Sequence, residues 1–195
     1  MKKIILASQS PRRRELLKKV CPDFDSLCPD YDEKIDTDCF SEEIIENIAF
    51  NKALSLKKSV PDDSLVLSAD TVVVLNGKIL GKPKNKEHAC KMLEELSGKT
   101  HKVVTSVSVF DTKSEKHQTR STTSFVTFNK LSGEQIKNYV ETKNPLDKAG
   151  SYGIQELDES FIADVKGSLS NIIGLPLETV EEMLKPFLTA ENGLE

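Results

Sequence analysis

The sequence predicts a mixed α/β fold, on three observations. Short apolar runs rich in β-branched residues recur along the chain, segments with apolar residues at helical spacing lie between them, and capping, Gly or Pro signals mark most boundaries. A chain of 195 residues is long enough to bury a real core, as a single domain over 1–195 or as two small lobes around a cleft.

The first strand is Ile4-Ile5-Leu6-Ala7, and Ser10 followed by Pro11 supplies an N-cap and a first helical residue. This first helix fades near Cys21 and Pro22. Arg12, Arg13 and Arg14 crowd its first turn, where each positive charge beside the positive end of the helix dipole costs about 0.3–1 kcal/mol. A bound polyanion would reverse that cost, so the segment asks for phosphate. The acidic stretch 23–38, with Asp30, Asp32 and Glu33, reads as a strand and a loop. Ser41 then caps a helix whose apolar stripe is Ile45, Ile48, Ala49 and Leu56, and Lys52 falls on that stripe four residues after Ile48.

Leu65-Val66-Leu67 and Val72-Val73-Val74-Leu75 are read as strands separated by a polar kink at Ser68-Ala69-Asp70-Thr71, with a hairpin at Asn76-Gly77. Residues 86–97 carry Ala89, Met92, Leu93 and Leu96 at helical spacing and stop at Gly98. Residues 103–110 and 119–128 read as antiparallel strands. Ser132 and Gln135 form a capping box that opens a helix to about Thr142. Residues 144–155, punctuated by Gly and Pro, have the makeup of a functional loop, and 177–188 read as a helix interrupted near Pro186. The terminal Leu194 and Glu195 could be a vector-derived scar and carry no weight in the reading.

Composition narrows the function. The 27 basic and 31 acidic side chains leave a net charge of −4, which argues against a nucleic-acid surface, so any affinity for phosphate must be local. Cys21, Cys28, Cys39 and Cys90 form no Cys-x-x-Cys pair and no metal-like spacing with His88, His101 or His117, which favours reduced thiols over zinc or disulfides. The apolar start is too short for a signal peptide and no run reaches membrane-spanning length, so a cytoplasmic protein with no membrane partner is expected.

Asp70 stands between two apolar runs, where a charge must be paired, hydrated in a cleft or holding a cation. A turn aspartate bonded to nearby backbone N–H groups is the other reading. Lys52 and Lys82 either reach into a phosphate-filled cleft or snorkel to water. Arg12 and Arg13 suit bidentate binding of phosphate beside a helix start, against a merely solvated arginine run. Glu33, with Asp32 beside it, could join Asp70 in holding Mg²⁺, or belong to a solvated acidic loop. Neither a Ser-His-Asp nor a Cys-His arrangement is evident, and the Gly-x-x-x-x-Gly-Lys-Ser/Thr loop is missing.

Six blocks carry a resemblance: Leu6-Ala-Ser-Gln-Ser-Pro-Arg-Arg-Arg-Glu-Leu-Leu17, Ala69-Asp-Thr-Val-Val73, Gly81-Lys-Pro83, Leu96-Ser-Gly-Lys-Thr-His101, Asp147-Lys-Ala-Gly-Ser-Tyr-Gly-Ile-Gln155 and Gly174-Leu-Pro-Leu177. In this order, over nearly the whole chain, they resemble the Maf-like nucleoside triphosphate pyrophosphatases. The resemblance implies a mixed curved sheet flanked by helices, with two lobes around a central cleft, and a homodimer. It also implies hydrolysis of a nucleoside triphosphate between the α and β phosphates with Mg²⁺ or Mn²⁺. Asp70 would then be the catalytic proton acceptor and would also touch the metal, while Ser8, Arg12, Arg13, Lys52 and Lys82 would grip the triphosphate.

The subgroup that this chain resembles acts on dTTP and UTP, with Arg12, Thr71 and Gln155 at its selectivity positions. Glu156 stands where that family commonly has glycine after the Gln; if that glycine supplies a positive φ, Glu156 must adopt a costly backbone conformation or the loop must change path. Ser106 likewise replaces a glycine often found in the Thr-Gly-Val strand. Two rival readings are a pyrophosphatase for 7-methyl-GTP or another modified nucleotide, and a nucleotide-binding regulator of septum formation with little turnover.

Overall fold

The two apolar runs flanking Asp70 fuse into one uninterrupted strand, β3 (Ser64–Leu75), and the expected kink is not there. The computed structural model describes residues 2–33, 35 and 39–189. The polar segment stays extended because β5 (Thr100–Asp111) pairs with β3 along nearly its whole length, Asp70 lying opposite Ser106 and Thr71 opposite Thr105. Its buried side chains are also satisfied: the Ser68 hydroxyl donates to the Ala49 carbonyl at 2.5 Å, and Asp70 is ion-paired.

The other edge of β3 changes partner. Its first half pairs in parallel with β1 (Lys3–Ala7), ending at Ala7 opposite Ser68. Its second half pairs antiparallel with β4 (Lys78–Leu80), starting at Val73 opposite Leu80 across the Asn76-Gly77 hairpin. Both turn residues have positive φ, 51° and 79°, as that hairpin signal requires. Between these two neighbours, at Asp70 and Thr71, the sheet forks. It is completed by β2 (Asp25–Leu27) beside β1, and by β6 (His117–Phe128) and β7 (Ile162–Lys166) beyond β5.

Helices cover both faces of this sheet. On one face α2 (Glu42–Ser55) lays Ile45, Ile48 and Ala53 against Val66, Val72, Val74 and Val104. The other face carries two separate cores. In the first, α1 (Pro11–Leu17) and α6 (Leu177–Thr189) pack Leu16, Leu17, Val180 and Met183 on Leu65, Leu67, Ala69 and Val107. In the second, α3 (Lys86–Leu96) and α4 (Gly133–Thr142) pack Leu93, Leu96, Ile136 and Val140 on Val73, Val103 and Phe128. Two lobes thus share β3 and β5, and their cores part where Thr71 and Thr105 stand.

Side-chain caps at Ser10, Ser41 and Ser132 fall where the sequence places them, the last as a full capping box. Pro186 does not interrupt α6: in the last turn its missing N–H removes one intrahelical bond and the helix continues to Thr189. Strand β7 and the five-residue α5 (Leu169–Ile173), too short for a periodic signal, are additions to the expected elements. Leu194, Glu195 and part of the acidic stretch, including Asp38, lie outside the described residues.

In the second core the His101 ring bonds the Tyr152 hydroxyl at 2.6 Å, and burial lowers its pKa to about 4. The unfolded chain therefore binds a proton near pH 6.5 that the folded chain refuses until about pH 4. Stability contributed by neutral His101 is present above pH 6.5 and is lost as pH falls through that window, by about 3 kcal/mol in all. Urea unfolding at pH 7, 5.5 and 4.5 should show a steeper acid loss for the native chain than for His101→Gln.

Candidate active site

The stripe that α2 presents to the sheet carries Lys52, 3% exposed, down onto Asp70, 6% exposed. An isolated buried charge would be prohibitively expensive, and here each pays for the other. The Lys52 Nζ lies 2.5 Å from Asp70 Oδ1 and 2.7 Å from Glu33 Oε1, so one ammonium gathers two carboxylates that are 37 positions apart in the chain, with Lys82 3.6 Å from the second Glu33 oxygen. Burial alone would push the Glu33 carboxyl up, but Lys52, with Lys82 and Arg13 behind it, outweighs that and holds it below the usual range.

The ammonium stands in for a cation between two hard oxygen donors. That donor set fits a divalent ion of the Mg²⁺ kind, which is typically held by one or two carboxylates and completed by substrate phosphates and water. Among the described residues no group of three or more His, Cys, Asp or Glu converges in a way that could hold a metal by protein ligands alone.

Across the fork, the start of α1 supplies the opposite wall. Ser8 Oγ accepts from the Ser10 N–H at 3.1 Å, and Ser10 Oγ accepts from the Arg13 N–H at 3.4 Å, fixing the strand-to-helix turn. The arginine run then divides. Arg13 turns inward, its Nε donating to the Gly174 carbonyl at 2.8 Å and its Nη2 to Thr71 Oγ1 at 3.0 Å. Burial lowers its pKa while Asp70 and Glu33 pull the other way, so the guanidinium stays charged. Arg12 faces the second lobe, with Nη1 3.4 Å from Asp147 Oδ2, and Arg14 is exposed.

The segment 144–156 folds as tight single turns, at Pro145–Asp147, Ala149–Ser151 and Ile154–Glu156. Glu156 takes no left-handed backbone: it closes an ordinary turn, its N–H donating to the Gly153 carbonyl at 2.9 Å. Its carboxylate is 3.2 Å from the Lys148 Nζ. Lys148 is buried, bonded to the Asn144 carbonyl and 2.9 Å from Asp147 Oδ1, so charges of alternating sign run from Glu156 through Lys148 and Asp147 to Arg12. The left-handed positions are instead Gly150 at φ 65° and Ser151 at φ 67°.

Every sequence-predicted site residue lines one cleft of about 1010 Å³: Ser8, Arg12, Arg13, Glu33, Lys52, Asp70, Thr71, Lys82 and Gln155. Asp147, Lys148 and Lys84 line it too and were not singled out from the sequence. Asp147 and Lys148 sat inside a recognised motif, but their significance depends on Arg12, which is 135 positions from Asp147.

Residues 3–187 match the family model described as Maf-like protein. This chain belongs to the Maf-like family. The Maf-like chain is 42% identical over 94% of its length to a dTTP/UTP pyrophosphatase of Clostridium botulinum, covering 98% of that protein. It is also 44% identical, over 91% of its length and 92% of the other, to a dTTP/UTP pyrophosphatase of Alkaliphilus oremlandii. Among solved structures, the Ham1 protein of Staphylococcus aureus shares the fold at a TM-score of 0.52 and 19% identity, covering 97% of this chain and 100% of that one. A dITP/XTP pyrophosphatase of Mycobacterium abscessus does so at 0.51 and 16%, covering 99% and 100%.

A Cβ on Gly150 would lie 2.8 Å from Val73 Cγ2 and 2.9 Å from Val73 Cβ, in a left-handed backbone. Gly150→Ala should destabilise this Maf-like protein by about 2–4 kcal/mol, measured by urea unfolding, because overpacking and an unfavourable φ add.

Proposed function

We propose that this Maf-like protein is a nucleoside triphosphate pyrophosphatase that hydrolyses dTTP and UTP to the monophosphate and pyrophosphate. The observation that carries the reading is the meeting of the Lys52, Asp70 and Glu33 cluster with Arg12 and Arg13 across one cleft large enough for a nucleotide. The curated relatives named for that activity align over more than nine tenths of the chain.

In this reading Asp70 accepts the proton of the attacking water, which must approach the α-phosphorus from the carboxylate side of the cleft. Arg13, within the field of both carboxylates, holds the phosphoryl oxygens on which charge builds, and its bonds to the Gly174 carbonyl and the Thr71 hydroxyl fix its plane beforehand. Arg12, Lys52, Lys82 and the Ser8 hydroxyl hold the rest of the triphosphate, and its arrival neutralises the cationic charge at the start of α1. A divalent ion held by Asp70 and Glu33 would supply further charge neutralisation at the phosphates. Gln155, on the cleft wall, offers an amide donor and acceptor suited to a pyrimidine edge.

Purified protein with Mg²⁺ or Mn²⁺ should release pyrophosphate from dTTP or UTP faster than from 7-methyl-GTP, and excess chelator should stop it. Asp70→Asn should lower kcat by roughly 10²–10⁴-fold with an unchanged circular dichroism spectrum. Preference for 7-methyl-GTP would move the assignment to the modified-nucleotide reading, and tight nucleotide binding without turnover would move it to a regulatory one. The same reading includes a cytoplasmic homodimer; a monomeric mass by light scattering would remove the dimer. Among the described residues no helix is long and apolar enough to cross a membrane.

A further inference from the structure

Arg13 is tethered to α5 by two routes, and only one is direct. Its Nε donates to the carbonyl of Gly174, which ends α5. Its Nη2 donates to Thr71 Oγ1, which lies 3.0 Å from Thr105 Oγ1, which in turn donates to the carbonyl of Asn171 at 3.0 Å. Chemistry fixes the direction of every link. A guanidinium only donates and a carbonyl only accepts, so Thr105 spends its one proton on Asn171 and Thr71 must spend its own on Thr105. Thr71 thereby turns its lone pairs toward Arg13.

Resting on the proposed pyrophosphatase reading, we propose that fully buried Thr105 is a positioning residue, orienting the Thr71 hydroxyl as an acceptor that sets the plane of the Arg13 guanidinium over the reacting phosphate. The relay also confines what Thr71 can do. With its proton committed to Thr105, it has none to offer a nucleobase, so its influence on selectivity is exerted through Arg13. Thr105 lies where the cores of the two lobes part, and the relay couples α1 to α5 across β3 and β5. Replacing Thr105 strands no buried acceptor, because the Asn171 carbonyl keeps the Gly174 N–H at 3.0 Å.

The test compares Thr105→Val, which removes the hydroxyl at nearly constant volume, with Thr105→Ser, which keeps it and loses a methyl. The Arg13 Nε–H resonance of ¹⁵N-labelled protein, assigned with Arg13→Lys, reports the side chain without turnover. Thr105→Val should shift or broaden that resonance and lower kcat for pyrophosphate release roughly tenfold to a hundredfold, with KM changed less. Thr105→Ser should retain both. An unmoved resonance in Thr105→Val, or an equal loss in Thr105→Ser, overturns the relay. If Thr105→Val does not fold, Thr105→Cys, whose thiol donates weakly, takes its place under the same criteria. Absence of pyrophosphate release by the native chain from any nucleotide defeats the functional reading instead, and the Arg13 resonance still decides the relay.

Discussion

The structure turns on what happens along one edge of β3. Up to Ser68 that edge is paired with β1, from Val73 it is paired with β4, and the residues between are Ala69, Asp70, Thr71 and Val72. A strand buried on both faces and paired on both edges has no room for chemistry. By separating two neighbours on one edge while β5 holds the other, the fold opens a crevice in the middle of a sheet without giving up the strand. Asp70 and Thr71 point to opposite faces, as successive strand residues must, and each meets a cation: Lys52 below and Arg13 above.

The electrostatics follow from that position. Lys52 and Asp70 are both almost fully buried, which is sustainable because they pair with each other and with Glu33. On the other side, Arg12 and Arg13 crowd a helix start that disfavours them, and each finds partial relief, Arg12 from Asp147 and Arg13 from the Gly174 carbonyl and the Thr71 hydroxyl. These contacts hold charged groups in place ahead of any ligand, which reduces the reorganisation needed when charge develops. Their protein partners are weaker than a triphosphate would be: Asp147 is half-exposed and 3.4 Å from Arg12.

The cationic half of the site was readable because physical misfit is local. Three arginines on a capped helix start, and a lysine on an apolar stripe, are anomalies against their immediate neighbours, and the structure turns Arg12, Arg13 and Lys52 into the cleft. Asp70 is readable for the same reason, although a polar segment between apolar runs reads as a kink in sequence, while β5 supplies the ladder that keeps it extended. Glu33 carried a weaker signal, an acid among acids. Asp147, Lys148 and Thr105 show no local misfit, the first two standing out only as part of a motif block, and each becomes informative only through Arg12, Glu156 and Thr71.

At Glu156 the condition for backbone strain is not met. A side chain in place of glycine implies strain only if the backbone there is left-handed, and the left-handed turn is made at Gly150 and Ser151 instead. By itself, then, the sequence determined the longer helices with the caps at Ser10, Ser41 and Ser132, the hairpin, the mixed α/β class and the charged groups that are out of place, because periodicity, capping and dipole energetics act within a few residues. Tertiary structure alone decided the fork in β3, the convergence of Glu33 on Lys52 and the hydroxyl path beneath Arg13. Those depend on which distant strands share an edge, and burial makes each such pairing obligatory without leaving a trace in either segment.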